Sequence, residues 1–322
     1  MNPRLRLIAI VGPTASGKSA LAIHIAKKLD GEVVCCDSTQ IYRHFDVGTG
    51  KLTSAEQQGV PHHLVDLAEP ADVFTAGDYR SIAQQAIEEI CGRGRLPVLT
   101  VGTGLYFRAL LEGLDELPGR SEALRERLRE RAARHGPEYL HRILRRCDPV
   151  GAVKVAPRDV QKLIRALEIC LLTGKPASQL RGRSRSGLEG FSVTKIGLAP
   201  SREALYARID SRVETMLAAG WIDEVRRLIQ TEIAPSAKPF TFLGYAQLRQ
   251  HVLIGRPLED VIREVRQATR KYAKRQITWF RRERDVHWLE GFGFDAVVQA
   301  RVLDIVESSE RAEAAAIRQR MR

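Results

Sequence analysis

Gly12-Pro13-Thr14-Ala15-Ser16-Gly17-Lys18-Ser19 fits the pattern G-x-x-x-x-G-K-[ST], and the fold is read outward from it. Leu5 to Val11 (LRLIAIV) precedes it as a short, mostly apolar run, as a buried strand requires. Ala20 to Leu29 follows with apolar Leu21, Ile25 and Leu29 at helical spacing. A strand, a glycine loop and a helix in that order form an anion cradle. Loop N–H groups converge, and the helix N-terminus carries partial positive charge. In such a loop Lys18 reaches terminal phosphates and the Ser19 hydroxyl holds Mg²⁺. An ordinary βα turn with chance glycines would not also put Lys and Ser in register. Read alone, the loop signals ATP. What it establishes is a site for a polyphosphate or diphosphate.

The rest of the first hundred residues extends the pattern. Glu32 to Asp37 (EVVCCD) reads as a second strand whose apolar run stops at a carboxylate. Leu96 to Val101 reads as another strand, ended by Gly102-Thr103-Gly104 and followed by a helix from Leu105 to Leu111. Thr75 to Ile90 carries Ile82, Ala83, Ala86, Ile87 and Ile90 on one helical face. Strands alternating with helices imply a mostly parallel sheet with helices on both faces. Carboxyl ends of parallel strands line the ligand crevice in such sheets, which puts Asp37 on the same edge as the phosphate loop. A plain helix-capping role for Asp37 or Ser38 remains the competing reading. Phe45 to Thr53 (FDVGTGKLT) reads as a glycine- and threonine-rich loop. His62 and His63 are adjacent; on a strand neighbours face opposite ways, which argues against a shared metal.

Near Asp115 the composition changes. Between Arg120 and Arg146 nine arginines face four acids, on two amphipathic helices broken at Gly136-Pro137. Arg158 to Leu172 predicts a clearer helix, with Gln161 and Arg165 sharing one face, and Thr173-Gly174-Lys175-Pro176 ends it. Ser184 to Gly190 reads as a polar loop. Phe191 to Ala199 returns to strand character, so the chain is expected to re-enter the sheet. The fold class is therefore α/β: a P-loop-type, mostly parallel sheet with helices on both faces, formed by residues 1–114 and 195–322, plus a mainly helical insertion domain at 115–194. Ser201 caps a following helix on which Arg208 and Arg212, four apart, either face one anion or form a solvated edge. Asp260 to Arg284 reads as a long helix with nine basic and two acidic residues between Arg263 and Arg284, interleaved with Tyr272, Trp279 and Phe280. Basic residues beside aromatics hold phosphates and stack on bases, although an aromatic core stripe with a wet basic face gives the same pattern. His287 to Glu290 is a candidate edge strand, and Ser308 to Arg322 a frayed helix or disordered tail.

The chain has 322 residues and a net charge of +12. Such an excess is a statement about partners: a metabolite enzyme does not need it, whereas a nucleic-acid partner uses it. The cysteines Cys35, Cys36, Cys91, Cys147 and Cys170 form no zinc spacing or disulfide framework, which suits a reducing cytoplasm. The N-terminus does not read as a signal peptide. No stretch approaches the roughly 20 apolar residues of a membrane helix.

Taken together, several stretches resemble the bacterial tRNA dimethylallyltransferases. They are GPTASGKS (12–19), DSTQIYR (37–43), PHHLVDL (61–67), AGDYR (76–80), GTGLYFRALLEGL (102–114), QKLIRALE (161–168), RIDSRVETMLAAGWIDEV (208–225) and RKYAKRQITWF (270–280). The resemblance runs to about residue 290. It implies transfer of a dimethylallyl group from dimethylallyl diphosphate to N6 of the adenosine just 3′ of the anticodon, with Mg²⁺ as cofactor and without ATP hydrolysis. It also implies that Gly12, Pro13, Thr14, Ala15, Ser16, Gly17, Lys18 and Ser19 cradle the diphosphate, helped by Arg208 or Arg212. Ser19 is the expected metal ligand. Asp37 is the expected general base and Thr103 the donor near the leaving oxygen. Contacts to the tRNA anticodon stem-loop are expected from Asp37, Ser38, Thr39, Gln40, Arg125, Gln161, Lys162, Leu163, Ile164, Arg165, Gly244, Tyr245, Lys274 and Arg275. The target base is expected to flip out of its stack. The chain departs from the family at Val101, where a glycine is common, and lacks arginines flanking Gly244-Tyr245. A monomeric, cytoplasmic enzyme is expected. A P-loop kinase, a transferase acting on free nucleotide and a non-catalytic RNA-binding ATPase are the competing classes; none accounts for both basic segments and Asp37 together.

Overall fold

The computed structural model describes residues 5–180, 182 and 187–320, with residues 312–320 as backbone. Two compact units emerge, one from residues 1–111 and 188–322 and one from 112–187. The insertion is thus bounded at 112–187 rather than 115–194. Its C-terminal limit falls earlier because β5 (Phe191–Leu198) already belongs to the sheet, pairing along its whole length with β1 (Leu5–Val11).

The larger unit is built on a parallel sheet. Besides β1 and β5 it contains β2 (Gly31–Cys36), β3 (His62–His63), β4 (Leu96–Val101) and β6 (Val286–Leu289), in the order β3-β2-β4-β1-β5-β6. Every pairing is parallel. Side chains of β1 alternate between two cores. Leu7, Ala9 and Val11 pack with helices Ala76–Gly92 and Gly104–Glu112. Ile8 and Ile10 pack with helix Lys18–Lys28 and with Val298, Val302 and Val306 of the terminal helix Ala296–Arg320. Both faces of the sheet are therefore covered, which explains why β1 and β2 read as apolar runs rather than alternating ones. Each fully buried Leu, Ile or Val here contributes about 1.5–3 kcal/mol.

The tail is helical through Arg320, not frayed from Ser308. Valines four residues apart on one face tie its first half to the sheet, a period the alanine-rich composition obscures. Residues 321–322 lie outside the described residues, as do residues 184–186 of the loop expected from Ser184 to Gly190. The His62-His63 pair is structural. His63 Nε2 bonds Glu32 Oε2 at 2.6 Å, and His62 Nδ1 bonds the Val60 carbonyl at 2.8 Å. Burial works against the Glu32 charge, but Arg93 and His63 hold its carboxyl below the usual range.

The smaller unit has its own core. Helices Glu122–His135, Pro137–Cys147 and Val160–Thr173 bury Leu128, Leu140, Leu144, Leu163, Ile164 and Leu167 among others. Gly174 closes the last helix in the left-handed region at φ 67°, a conformation glycine adopts without strain.

Candidate active site

A cavity of about 860 Å³ opens in the larger unit where β1, β2 and β4 end. Parallel strands leave their carboxyl ends on one edge, so the three turns that follow them converge. The first turn is the glycine loop. Gly17 takes φ 87°, and a Cβ there would lie 2.8 Å from Gly293 N, so the position requires glycine twice over. Helix Lys18–Lys28 begins at Gly17 without a side-chain cap, which leaves its first N–H groups available to an anion. The Ser16 hydroxyl is buried and has no hydrogen-bond partner among the described residues. Lys18 Nζ donates to the Gly12 and Pro13 carbonyls at 3.0 and 2.8 Å. Burial pushes its pKa down to about 8; Asp37 opposes that shift and Arg212 adds to it.

The second turn carries Asp37. Its Oδ1 accepts from Thr39 N at 2.8 Å and Thr39 Oγ1 at 2.7 Å. This locks the side chain, while Oδ2 has no hydrogen-bond partner among the described residues. The third turn makes room for it: a Cβ on Gly102 would lie 2.1 Å from Asp37 Oδ2. The glycine this turn needs is therefore Gly102, and Val101 is fully buried in the strand. Thr103 Oγ1 accepts from Ser38 N at 2.9 Å and donates to Ser38 Oγ at 3.1 Å. The expected donor to a leaving oxygen is thus engaged in holding the Asp37-Ser38 turn.

Gln276, on the long helix Leu258–Phe280, clamps two of these turns. It accepts from Thr14 N at 2.7 Å and donates to the Gly102 carbonyl at 2.9 Å. Sequence reasoning passed over it as one polar residue in a basic helix. The available signal was a glutamine placed between Tyr272 and Trp279 on the helix face that turns inward.

Arg208 and Arg212, on helix Arg202–Ala218, both line the cavity. The choice between them dissolves: neither forms an ion pair among the described residues. Arg208 lies over the Phe294 ring at 4.7 Å. Arg212 is enclosed; burial, reinforced by the Arg208 charge, lowers its pKa. An enclosed guanidinium without a carboxylate partner is costly unless a ligand supplies the anion. Val47, Leu52, Met216 and Ala219 give the same cavity an apolar side.

Ser19 also lines the cavity, and its hydroxyl has no partner among the described residues. No cluster of three His, Cys, Asp or Glu residues suitable for a metal occurs among them. That donor set fits Mg²⁺ held mainly by ligand phosphates and water, with one hydroxyl from the protein.

The other expected RNA contacts divide. Gln161, Lys162, Lys274 and Arg275 are exposed. Leu163 and Ile164 are buried in the core of the smaller unit, so their side chains are corrected to packing residues. Arg125 and Arg165 both bond Glu168, which is fully buried. Arg125 does so with two bonds of 2.8 and 2.7 Å and Arg165 with one of 2.6 Å. Gln40 is committed within the protein, donating to the Thr49 and Gly50 carbonyls. Tyr245 is fully buried, and Gly244 is a glycine because a Cβ would lie 2.0 Å from the Trp221 ring. These two are likewise corrected from RNA contacts to structural residues.

Comparison with known proteins agrees with this geometry. Residues 40–283 match the family described as IPP transferase. A tRNA dimethylallyltransferase of Solibacter usitatus is 50% identical over 93% of this chain and 97% of its own. That of Koribacter versatilis is 45% identical over 94% and 98%. Among solved structures, the full-length tRNA isopentenylpyrophosphate transferase of Bacillus halodurans superposes with a TM-score of 0.72 at 35% identity, covering 97% of this chain and 99% of that one. A eukaryotic dimethylallyltransferase acting on tRNA gives 0.74 at 28% identity, over 89% of this chain and 74% of that one.

Proposed function

The chain belongs to the IPP transferase family, and from that premise we propose that its cavity transfers a dimethylallyl group from dimethylallyl diphosphate to N6 of the adenosine 3′-adjacent to the anticodon of tRNA. The observation that carries this reading is the pairing of opposites in one cavity. Among the described residues, Lys18, Arg208 and Arg212 face it without carboxylate partners of their own, and Asp37 presents a locked carboxylate with one oxygen unbonded. The cations suit a diphosphate, the apolar side suits a five-carbon chain, and Asp37 suits an amine.

The C1–O bond of the allyl diphosphate breaks, and its electrons leave with the diphosphate oxygen. A bond forms between C1 and N6. The N6 proton passes to Asp37 Oδ2. Loop N–H groups and Lys18 stabilise the charge that develops on the leaving group. Arg208 and Arg212 do so from the opposite wall. Asp37 orients the weakly nucleophilic amine and accepts its proton. Thr39 fixes the carboxylate, Thr103 holds the turn that carries it, and Gly102 leaves it room. Ser19 would hold Mg²⁺, which when bound supplies neutralising charge to the diphosphate.

The exposed basic residues Lys274 and Arg275, with Gln161 and Lys162 on the insertion, support contact with the RNA backbone. RNA affinity is accordingly expected to fall steeply with salt. A tRNA substrate and free cysteines support a cytoplasmic location.

The test incubates the protein with Mg²⁺, labelled dimethylallyl diphosphate and unmodified anticodon stem-loop RNA. Label is expected in RNA, on adenosine. Label transferred only to free nucleotide, or γ-phosphate consumed from ATP, would overturn the reading.

A further inference from the structure

The loop Phe45–Thr53 forms one wall of the cavity through Asp46, Val47, Thr49, Gly50, Lys51 and Leu52. Irregular backbone of this kind needs its polar groups satisfied from outside the loop. Here they are satisfied from a buried carboxylate far along the chain. Glu224, only 3% exposed, accepts from Asp46 N at 3.1 Å and Val47 N at 2.9 Å with Oε2. Its Oε1 accepts from the Tyr245 hydroxyl at 2.5 Å, and that hydroxyl accepts in turn from Gly48 N at 3.0 Å. Three consecutive loop N–H groups are thereby fixed by two side chains.

The loop is also pressed against Trp221. A Cβ at Gly48 would lie 2.1 Å from Trp221 Nε1, and one at Gly244 would lie 2.0 Å from the other end of the indole. The tryptophan is seated between two glycines, with the Tyr245 ring edge-on at 5.7 Å. At the loop's tip the contact passes to the cavity. A Cβ at Gly50 would lie 2.0 Å from an Arg212 guanidinium nitrogen, so the Gly50 backbone forms the surface against which Arg212 rests. Burial and the Glu224 charge push the Tyr245 hydroxyl far above its ordinary pKa, keeping it a donor at any physiological pH.

We propose that Glu224, with Tyr245, is a positioning residue for prenyl-diphosphate binding: it holds the Asp46–Gly50 loop in place and, through Gly50, sets where the Arg212 guanidinium sits. Glu224 touches neither substrate nor reacting atoms, and its effect reaches the site only through the loop. The inference rests on the diphosphate reading above. It also assigns the conspicuous Gly-Tyr pair at 244–245 to the prenyl-diphosphate side of the reaction rather than to RNA.

The test uses the full chain with Tyr245→Phe and Glu224→Gln, two near-isosteric changes that keep the packing. Calorimetry measures the Kd for dimethylallyl diphosphate with Mg²⁺ and without RNA. A separate titration measures the Kd for anticodon stem-loop RNA. Each substitution is expected to weaken dimethylallyl diphosphate about tenfold, as loss of a charge-assisted hydrogen bond implies. The double variant is expected to fall well short of the product of the two, because both act on one network. RNA affinity is expected to stay within about twofold, since no phosphate contact is removed. KM for dimethylallyl diphosphate should rise with its Kd while kcat at saturation changes little. Unchanged diphosphate affinity in both variants, beside a wild type that binds, overturns this inference and leaves the function reading intact. RNA affinity falling in step with diphosphate affinity also overturns it. A wild type that does not bind dimethylallyl diphosphate overturns both.

Discussion

The cavity of the larger unit and the interior of the insertion each enclose basic side chains, yet they treat them oppositely. In the insertion, Arg125 and Arg165 converge on Glu168, which also accepts from Ser121 N at 2.8 Å. The two guanidinium groups share this one carboxylate, which is fully buried. In the cavity, Arg212 is enclosed and Lys18 is turned onto backbone carbonyls, and neither pairs with a carboxylate among the described residues. Both segments are rich in arginine, so abundance does not separate the two roles. What separates them is whether the protein itself provides the anion. A cation with a protein partner holds the fold; a cation without one is held ready for a ligand.

That contrast breaks most visibly at Asp37, whose Oδ2 has no hydrogen-bond partner among the described residues. Asp37→Asn keeps the bonds to Thr39 but removes the base, and kcat is expected to fall about 10³-fold, within the range for a lost general base. Single-turnover transfer measures it. RNA and diphosphate affinities should be nearly unchanged, and a parallel fall in all three would make Asp37 structural.

The insertion answers to a different variant. Glu168→Gln leaves two half-buried guanidinium groups without their anion, and the smaller unit is expected to lose about 3 kcal/mol of stability. Hydrogen exchange over residues 112–187 reads this directly. Burial alone would raise the Glu168 pKa, but the hydrogen bonds from Arg125 and Arg165 overcome it and hold it at about 2 against an ordinary 4.5. A depressed carboxylate contributes stability that is complete above its unfolded value. Acid unfolding of the insertion should therefore set in as pH falls below 4.5 and progress toward 2, and Glu168→Gln should remove that dependence.

A smaller effect belongs to Lys18. Its pKa of about 8 means that the ammonium is lost as pH rises through that value. Affinity for dimethylallyl diphosphate should decline between about pH 7 and 9 by severalfold, as loss of one close opposite charge implies. Lys18→Arg, which stays charged, should flatten the profile even if its absolute affinity is lower.

Much of this was readable from contiguous residues. The loop Gly12–Ser19, the strand ending at Asp37 and the strand ending at Gly102 each announce themselves locally, and a parallel sheet necessarily brings their ends together. The partners that hold these turns were not readable. Gln276 meets Thr14 across 262 residues, and Glu224 meets the Asp46–Val47 backbone across more than 170. No local period or motif marks a residue whose partner is a distant backbone N–H. The burial of some expected RNA contacts was unreadable for a related reason. A motif such as QKLIR names five adjacent positions, but a helix turns 100° per residue, so Leu163 and Ile164 face the core while Gln161 and Lys162 face solvent. Arg125, expected at the RNA, is held by Glu168 on another helix.

The account stands or falls most directly on one paired titration. Dimethylallyl diphosphate with Mg²⁺ is titrated into the wild type, Arg212→Gln and Arg125→Gln, and the thermal unfolding of each is recorded. Arg212→Gln should weaken binding about tenfold or more while unfolding changes little, as expected for a charge held for a ligand. Arg125→Gln should bind like the wild type and unfold at a lower temperature. The reverse pattern, or equal loss of affinity in both variants, would contradict the division between ligand-binding and structural charge.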